Sequence, residues 1–460
     1  MRKALLILTF ITLTFRINAQ EIEWQNTIGG SLTDYLYDIK ACVDGGYICG
    51  GSSESNISGD KTQNAIGEAD YWIVRLDSSG NIQWQKTIGG NGIDNISTIL
   101  QTDDGGFVCG GWSDSNISGD KTENSQGGSD YWIVKLDMNG IIQWQNTIGG
   151  NGLDFLNSLE QTSDGGYICG GSSNSGISGD KSENTNGLDD YWIVKIDSLG
   201  NIQWENTVGG LMVDRLNAIQ QTFDDGYICG GTSESDISGD KLENSRGIDD
   251  FWVIKLDMNG SLQWQKTIGG NDYDLLHSLR QTVDGGYICG GESISNSSGE
   301  KSENSEGGYD LLGCETGYCR NIQWQNTIGG DGFDGLQSIK STNGGGFICG
   351  GMSSSNISGD KFENSIGGLD YWVVKLDNAG QLEWQNTIGG LDNDWLNLVE
   401  STSASEYICG GWSESNISGD KTENNIGGPD YWVIKITDNY NLIQGKTFAD
   451  LNSNQQQEPG

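Results

Sequence analysis

Proline and histidine are almost missing from this sequence. Its 460 residues include two prolines and one histidine, His277, against 72 glycines. Abundant glycine with little proline is typical of a β protein whose tight bends use glycine. A single histidine excludes His-rich metal sites and restricts any His-based catalytic triad to one place. The sequence also lacks a Gly-x-Ser-x-Gly elbow and a phosphate-binding loop, so we predict that the protein is not an enzyme.

Basic residues are scarce as well. The 25 lysines and arginines are outnumbered by 64 aspartates and glutamates, which gives a formal net charge of −39. Such a surface repels nucleic acid and anionic membranes, and it tolerates cations, basic partners and neutral glycans. We interpret the acidity chiefly as a means of keeping an extracellular protein soluble.

The one long apolar run lies at the N-terminus. Arg2 and Lys3 precede a 12-residue apolar stretch, Ala4–Phe15, and Ala19 is a suitable last residue before a cleavage site. This pattern predicts a signal peptide over residues 1–19, because the stretch is too short to span a bilayer. No cysteine follows the cut, which argues against a lipid anchor. We expect a monomer that is secreted or held at the cell surface, without membrane insertion.

A 60-residue segment repeats along almost the whole chain without insertion or deletion. Two tags mark it, Ile-Gln-Trp-Gln-Asn-Thr-Ile-Gly-Gly and Gly-Tyr-Ile-Cys-Gly-Gly. They place a tryptophan at Trp24, Trp84, Trp144, Trp204, Trp264, Trp324 and Trp384, and a cysteine at Cys49, Cys109, Cys169, Cys229, Cys289, Cys349 and Cys409. A fixed period of this length indicates a solenoid or a propeller.

Each repeat predicts four short strands. In residues 154–210 we predict strands over 156–162, 167–172, 190–197 and 202–208, with tight turns and one long polar loop between them. Nothing of helical period appears. Four antiparallel strands joined by hairpins describe one propeller blade. The recurring tryptophans are then expected to fill the space between blades rather than to stack on a ligand.

Counting the strands predicts how the ring closes. The first three strands occur seven times, whereas the Trp-bearing fourth strand first appears before them, at residues 21–28. Its eighth copy, 441–448, is degenerate, because Gln444 stands where the tryptophan belongs. We therefore predict an all-β, seven-bladed β-propeller over residues 20–448, closed by the N-terminal strand and followed by a polar tail, 449–460. The alternative is closure by 441–448 with 21–28 loose.

One blade departs from the pattern. Residues 311–320 read Leu-Leu-Gly-Cys-Glu-Thr-Gly-Tyr-Cys-Arg, where other repeats have a sequence like Tyr-Trp-Val-Val-Lys-Leu-Asp. A reading-frame shift by one base, later compensated, would explain the change, and Cys314 and Cys319 then have no metal role. If the residues are genuine, blade five loses a buried tryptophan, which costs about 3–5 kcal/mol.

The repeat resembles known families. A double glycine followed by a spaced tyrosine and tryptophan is similar to kelch-type blades. The motifs Trp-Gln-Asn-Thr-Ile-Gly-Gly, Asp-Gly-Gly-Tyr-Ile, Ser-Gly-Asp-Lys and Asp-Tyr-Trp-Ile-Val-Lys-Leu-Asp resemble a family of secreted bacterial repeat proteins. This resemblance covers residues 21–448 and implies a β-propeller, often exported by type IX secretion. It implies no common activity, and no sorting domain follows residue 448 as the family would lead one to expect.

The long loop after the second strand supplies the candidate binding residues. It repeats Ser-Gly-Asp-Lys-x-Glu-Asn, and Asp120, Glu123, Asn124 and Asp130 are oxygen donors of the kind that calcium prefers. Their spacing is not that of an EF-hand, and Lys121 lies among them, so these residues are more simply turn formers. The aspartate repeated at Asp34, Asp94, Asp154, Asp214, Asp274, Asp334 and Asp394 is expected to satisfy backbone N–H groups. We predict no resident cofactor or metal and leave calcium as an open alternative.

One pair of cysteines is a candidate disulfide. The seven repeat cysteines occupy equivalent places too far apart to bridge, and they read as small buried hydrophobic residues. Cys42 and Cys49 instead flank Asp44-Gly45-Gly46-Tyr47. If Gly45-Gly46 forms a two-residue hairpin turn, these cysteines face each other and export would permit a bond.

These observations favour a binding protein over an enzyme. The few departures near the connector, Arg215, Asp272, His277 and Trp395, are scattered over different blades, and His277 reads as an incidental surface or loop residue. Our hypothesis is an extracellular binding or scaffold protein whose partner is an unknown protein or glycan, bound at the long-loop face. The alternatives are a carboxylate-based carbohydrate-active enzyme and a structural calcium-binding repeat protein.

Overall fold

The protein forms a ring of seven β-sheets, each of four antiparallel strands. This computed structural model describes residues 17–317 and 321–441. The first strand of each blade packs against the first strands of both neighbouring blades, so the first strands line the central axis. The predicted seven-bladed β-propeller is confirmed. In the described residues, no helix is long and apolar enough to cross a membrane.

The strands follow one order in every blade, from the axis outwards. The first strands are β2 (Asp34–Ala41), β6 (Asp94–Gln101), β10 (Asp154–Gln161), β14 (Asp214–Gln221), β18 (Asp274–Gln281), β22 (Asp334–Ser341) and β26 (Asp394–Ser401). The second are β3 (Tyr47–Ser53), β7 (Phe107–Ser113), β11 (Tyr167–Ser173), β15 (Tyr227–Ser233), β19 (Tyr287–Ser293), β23 (Phe347–Ser353) and β27 (Glu406–Ser413). The third are β4 (Asp70–Leu76), β8 (Asp130–Leu136), β12 (Asp190–Ile196), β16 (Asp250–Leu256), β20 (Asp310–Thr316), β24 (Asp370–Leu376) and β28 (Asp430–Asn441). The fourth are β5 (Ile82–Ile88), β9 (Ile142–Ile148), β13 (Ile202–Val208), β17 (Leu262–Ile268), β21 (Ile322–Ile328), β25 (Leu382–Ile388) and, for blade seven, β1 (Ile17–Ile28).

The N-terminal strand closes the ring. β1 pairs antiparallel with β28, from Ile17 opposite Asn441 to Ile28 opposite Tyr431. Residues 21–28 are therefore paired, and the alternative that leaves them loose is wrong. A cut after Ala19 would keep the pairing from Gln20 opposite Asp438 onwards. Residues 1–16, 442–448 and the predicted tail 449–460 lie outside the described residues.

Aromatic residues fill the space between neighbouring blades. Trp132 is completely buried, and the ring of Tyr71 from the preceding blade lies 4.8 Å from it. The Tyr71 hydroxyl also donates a hydrogen bond of 2.9 Å to the Trp132 carbonyl. Further out, Trp84 meets Phe107 of the next blade edge to face at 5.7 Å. The prediction that the recurring tryptophans pack between blades is confirmed.

Blade five lacks part of this packing. Its third strand still forms, but Leu312 occupies the tryptophan position. The hydroxyl bond to the next blade is also lost twice in succession, because Phe251 and Leu311 stand where other blades have a tyrosine. Cys319 lies outside the described residues, and the reading-frame explanation stays a prediction.

Candidate binding site

The long-loop residues singled out in the sequence serve separate backbone groups. Each accepts a hydrogen bond from a different N–H: Asp120 from Gly89 (3.4 Å), Glu123 from Thr147 (2.8 Å), Asn124 from Ile117 (2.9 Å) and Asp130 from Gln126 (2.5 Å). Asp120 and Glu123 hold the loop against the connector and the fourth strand, whereas Asn124 and Asp130 bond N–H groups within the loop. Side-chain oxygens used in this way stabilise a loop in place of regular secondary structure.

These residues are not brought together as a metal site. Within residues 17–317 and 321–441, no group of three or more His, Cys, Asp or Glu side chains is placed to hold an ion. Lys121 is buried near Asp94 and Asp130, where its ammonium already supplies positive charge. The absence of a resident metal stays a prediction, and calcium stays the alternative to it.

The connector aspartates cap the backbone, as expected. The Gly150 N–H donates to Asp154 Oδ2 at 2.8 Å, and the Ser175 hydroxyl donates to the same oxygen at 2.9 Å. The glycine bond recurs at each of the seven blade junctions. The prediction that these aspartates satisfy backbone N–H groups is confirmed.

Each junction also brings two buried carboxyl groups together. Asp130, at the start of β8, lies beside Asp154 of the next blade, and neither side chain is exposed. The connector needs glycine here, because a Cβ on Gly149 would lie 1.9 Å from Asp130 Oδ1. That oxygen and Asp154 Oδ1 have no hydrogen-bond partner in the described part of the chain. We call Asp130, Asp154 and their counterparts in the other blades the junction pairs.

A buried lysine completes the arrangement. Lys121 donates to Thr147 Oγ1 at 2.7 Å, and its Nζ lies 5.1 Å from the centre of the Trp132 ring. A cation over an indole face is stabilised by the ring quadrupole. Six blades carry this lysine–tryptophan contact, whereas Leu312 replaces the tryptophan in blade five.

Burial shifts the titration of these groups toward their neutral forms. Burial, with the neighbouring Asp154 charge, raises the pKa of Asp130 to about 7. Burial lowers the pKa of Lys121 to about 8, against the opposing pull of Asp94. Asp190 and Asp430 likewise have pKa values raised to about 7 by burial. Asp130, Asp190 and Asp430 therefore bind protons near neutral pH.

The candidate disulfide requires Cys42 and Cys49 to face each other across the hairpin, and the hairpin has a different register. Gly45 takes a left-handed φ of +85°, which lengthens the turn, and the Cys42 N–H bonds to the Gly46 carbonyl. Cys49 consequently lies opposite Ile39. Cys42 and Cys49 pack in different hydrophobic clusters, and both thiols are free in this structure.

The central channel is where the repeats differ. Each first strand carries a β-bulge, which in β2 falls between Leu36 and Asp38 and leaves Tyr37 outside the regular pairing. A bulge turns side chains away from the sheet. The channel encloses a cavity of about 790 Å³ lined by first-strand residues that include Tyr37, Lys40 and His277. This volume is within the range of small-ligand pockets.

One ring of channel positions varies from blade to blade in charge and polarity. We call it the Lys40 ring, and it comprises Lys40, Leu100, Glu160, Gln220, Arg280, Lys340 and Glu400. Where a side chain in this ring can accept, it bonds the backbone of the next blade. Glu160 accepts from the Gln221 N–H at 2.9 Å, and Gln220 accepts from Gln281 at 2.7 Å.

Three members of the ring are cations and cannot play this part. Lys40 pairs with Asp38, whereas Arg280 donates one hydrogen bond, of 3.2 Å, to the Leu279 carbonyl. Lys340 has no hydrogen-bond partner among the residues described. Burial, with the charges of Arg280 and Lys40, holds the pKa of Lys340 well below its usual range, against the opposing charges of Glu400 and Asp38. The channel of this acidic protein thus contains these basic groups beside the carboxylates of Asp38, Asp103, Glu160 and Glu400.

Aromatic residues gather at the long-loop end of the same channel. The Trp395 and Trp412 rings stack at 5.7 Å with an interplanar angle of 9°, and Tyr35 meets Trp412 edge to face at 5.1 Å. Tyr37 lies 6.3 Å from Tyr35 and lines the cavity. All four side chains are half-buried. We call Tyr35, Tyr37, Trp395 and Trp412 the aromatic mouth.

Sequence reasoning misplaced His277 and overlooked the cations. His277 belongs to β18 and lines the channel, with Nε2 3.7 Å from Glu292 Oε1, so its interpretation as a loop residue is wrong, although its side chain stays partly exposed. Lys40, Arg280 and Lys340 were detectable because they occupy a variable position of a strand whose buried Asp34, Leu36 and Ile39 positions repeat. A comparison of the repeats position by position would have found them.

Comparisons with known proteins concern the fold alone. The sequence matches no family model and no curated protein. Among solved structures, it is similar to BamB from Moraxella catarrhalis (12% identity, TM-score 0.43), over 91% of this chain and 100% of that one. It is also similar to the Neurospora crassa Pan2 WD40 domain (9% identity, TM-score 0.48), over 92% and 98% respectively. The blade topology above, rather than these distant likenesses, establishes the propeller.

Proposed function

We propose that this protein is an exported binding or scaffold protein that recognises its ligand in the central channel. The observation that carries the proposal is the contrast between near-identical blades and the varied Lys40 ring. Residues that only needed to support the sheet would repeat there as they do elsewhere. Binding residues on a rigid scaffold have no reason to repeat.

Binding without turnover is the function that these contacts favour. The channel carboxylates of Glu160 and Glu400 accept backbone N–H groups of the next blade, at 2.9 Å in both cases. A general acid or nucleophile would need its oxygen directed at a substrate. We therefore rank the carbohydrate-active enzyme below the binding protein.

Export is part of the proposal. The predicted signal peptide over residues 1–19 and the resemblance to secreted bacterial repeat proteins support it, and the acidic surface suits an extracellular location. Fractionation of bacteria that express the full chain, beside a chain lacking residues 2–19, tests it. Export of both forms would contradict the proposal.

A pull-down from extracellular material, together with a glycan array, tests the channel. The protein is compared with a variant whose channel is altered at Tyr37→Ala and His277→Ala, and with a control altered at the surface residue Ile57→Ala. We expect a ligand that the protein and the control retain and the channel variant loses. Equal retention by all three would place the site elsewhere.

A further inference from the structure

The unpaired cations of the channel point to the charge of the ligand. Arg280 and Lys340 occupy the same ring position in adjacent blades, and both line the channel and its opening on the hairpin side. Arg280 has N–H groups to spare, and Lys340 has no hydrogen-bond partner among the described residues. The Arg280 charge disfavours the protonated form of Lys340, and an anion bound between the two side chains favours it.

The fold gives up an available stabilising bond at these positions. Glutamate or glutamine there accepts the N–H of the next blade, as Glu160, Gln220 and Glu400 do. Arginine and lysine have no acceptor atom, so they cannot make this bond. Leu100 forgoes the bond with an apolar side chain, whereas Arg280 and Lys340 forgo it with donor groups that line the channel.

The aromatic mouth indicates what carries the negative charge. Trp395 and Trp412 present stacked, half-buried rings, and Tyr35 and Tyr37 continue from them into the cavity. Tyr37 and Lys40 are three residues apart on β2, which is about 10 Å along a strand. Aromatic faces of this kind pack against the flat apolar faces of sugar rings. A ligand with sugar rings at the mouth and an anionic group further in would contact both regions.

The overall charge of the protein limits how acidic that ligand is. A polyanion approaching a surface of net charge −39 is repelled at long range. An otherwise neutral chain with one carboxylate or sulfate is repelled much less, because the repulsion scales with the charge of the ligand. Arginine provides a planar pair of donors that suits such a group, and lysine adds a point charge.

We propose that the channel binds an oligosaccharide carrying a single acidic group, which Arg280 and Lys340 hold while the aromatic mouth packs on its neutral sugars. This inference rests on the proposed function, because it specifies the ligand of the same site. An acidic peptide would use the same cations without needing stacked rings, so the observations favour the sugar.

Calorimetric titration with a matched ligand pair tests the proposal. The probes are a glucuronic-acid-bearing xylo-oligosaccharide and its carboxyl-reduced counterpart, which differ only in charge. We expect the acidic form to bind at least about 10-fold more tightly, because a hydrogen bond to a charged group contributes on the order of 1.5–3 kcal/mol. Equal affinity of the two forms, or no binding of either, would overturn the proposal.

Variants locate the charge recognition. Arg280→Gln or Lys340→Gln should each weaken binding of the acidic probe about 10-fold or more, with little effect on the reduced probe. Both variants are expected to fold, because Gln220 occupies the equivalent position in blade four. Lys86→Gln on the outer strand β5 removes the same charge outside the channel and should leave binding unchanged. If Lys86→Gln weakened binding of the acidic probe equally, the effect would depend only on the net charge of the protein, and the proposal would be contradicted.

Two further probes separate other ligands. A short glutamate peptide or inorganic sulfate that binds as tightly as the acidic sugar, and is unaffected by Trp395→Ala, would overturn the sugar assignment. If the channel instead captured a neutral or basic ligand, the proposal that the ligand carries an acidic group would be wrong, whereas the proposed function of ligand binding in the channel would still hold. Loss of acidic-probe binding in Trp395→Ala would support both regions acting on one ligand.

Discussion

The blade junctions and the central channel are built from the same repeat under different constraints. At the junctions, an aspartate, a buried lysine and a buried tryptophan recur almost without change around the ring. Along the channel, the Lys40 ring holds five residue types in seven blades. The junction residues hold the blades together and are nearly the same in each blade, whereas the channel residues differ from blade to blade. The comparison separates residues that stabilise from residues that recognise.

The largest expected effect tests the junction side of this comparison. Trp132→Ala removes a completely buried indole and should lower the free energy of unfolding by about 3–5 kcal/mol. Trp395→Ala in the aromatic mouth removes a half-buried indole and should cost much less. Urea denaturation followed by fluorescence measures both. Similar losses in the two variants would break the distinction between core and mouth.

A pH series tests the buried carboxyl groups. Folding raises the Asp130 pKa to about 7 from an ordinary value of about 4, so stability present at low pH is lost as the pH rises through 7. We expect the midpoint of urea unfolding to rise between pH 7.5 and pH 5. Lys121, with its pKa near 8, is already protonated across this window and does not cancel the rise.

The control for the pH series is a carboxamide at the same site. Asp130→Asn cannot ionise, so it should be more stable than the parent at pH 7.5 and gain less on acidification. The gain in stability should stop below pH 4. Burial opposes ionisation of Asp104, but its contacts with Thr102 and Lys135 outweigh that effect and lower its pKa to about 2. Because the folded state favours this ionised carboxylate, the stability that it contributes is lost as the pH falls from 4 toward 2. An unfolding midpoint independent of pH in the parent would contradict a raised pKa at Asp130.

The channel side of the comparison predicts a gain in stability. Lys340→Gln introduces an acceptor at a position where Gln220 bonds the next blade, and it removes a repulsive charge. The free energy of unfolding should rise by about 0.5–1.5 kcal/mol. The reciprocal change Gln220→Lys should lower it by a similar amount. A destabilised Lys340→Gln protein would mean that this lysine supports the fold after all.

The smallest expected effect concerns blade five. Phe251→Tyr restores a hydroxyl that can donate to the carbonyl of residue 312, as Tyr131 donates to Trp192 at 2.9 Å. It should stabilise the protein by about 1 kcal/mol. Tyr131→Phe is the matched removal and should cost about as much. Thermal unfolding of the three proteins measures the difference, and no change in either variant would show that this bond is energetically neutral.

The fold was predictable from the sequence because every level of it repeats. The 60-residue period, the turn glycines and the alternation of apolar residues all indicate the same blade, and the Trp-bearing strand at residues 21–28 indicates how the ring closes. The hairpin at Cys42 was harder, because the left-handed Gly45 adds residues to the turn and shifts the register.

The channel was not predictable by the same means. A search for repetition disregards the positions that fail to repeat, and Lys40, Arg280 and Lys340 are such positions. Their significance depends on the ring, which brings together residues from distant repeats. The β-bulge that leaves His277 outside the strand pairing is likewise a property of the folded sheet.

Pairing of β1 with β28 has a consequence for how the protein is made. The first strand to emerge must wait, as an open edge, until the last strand is available some 400 positions later. Exposed edges invite association with other chains, and charged side chains discourage it. Glu21 and Glu23 supply that charge during the delay, and Glu23 then joins Lys435 at 2.8 Å once the circle is complete. The Glu23 carboxylate thus discourages association of the unpaired strand before folding and forms an ion pair across the closed ring afterwards.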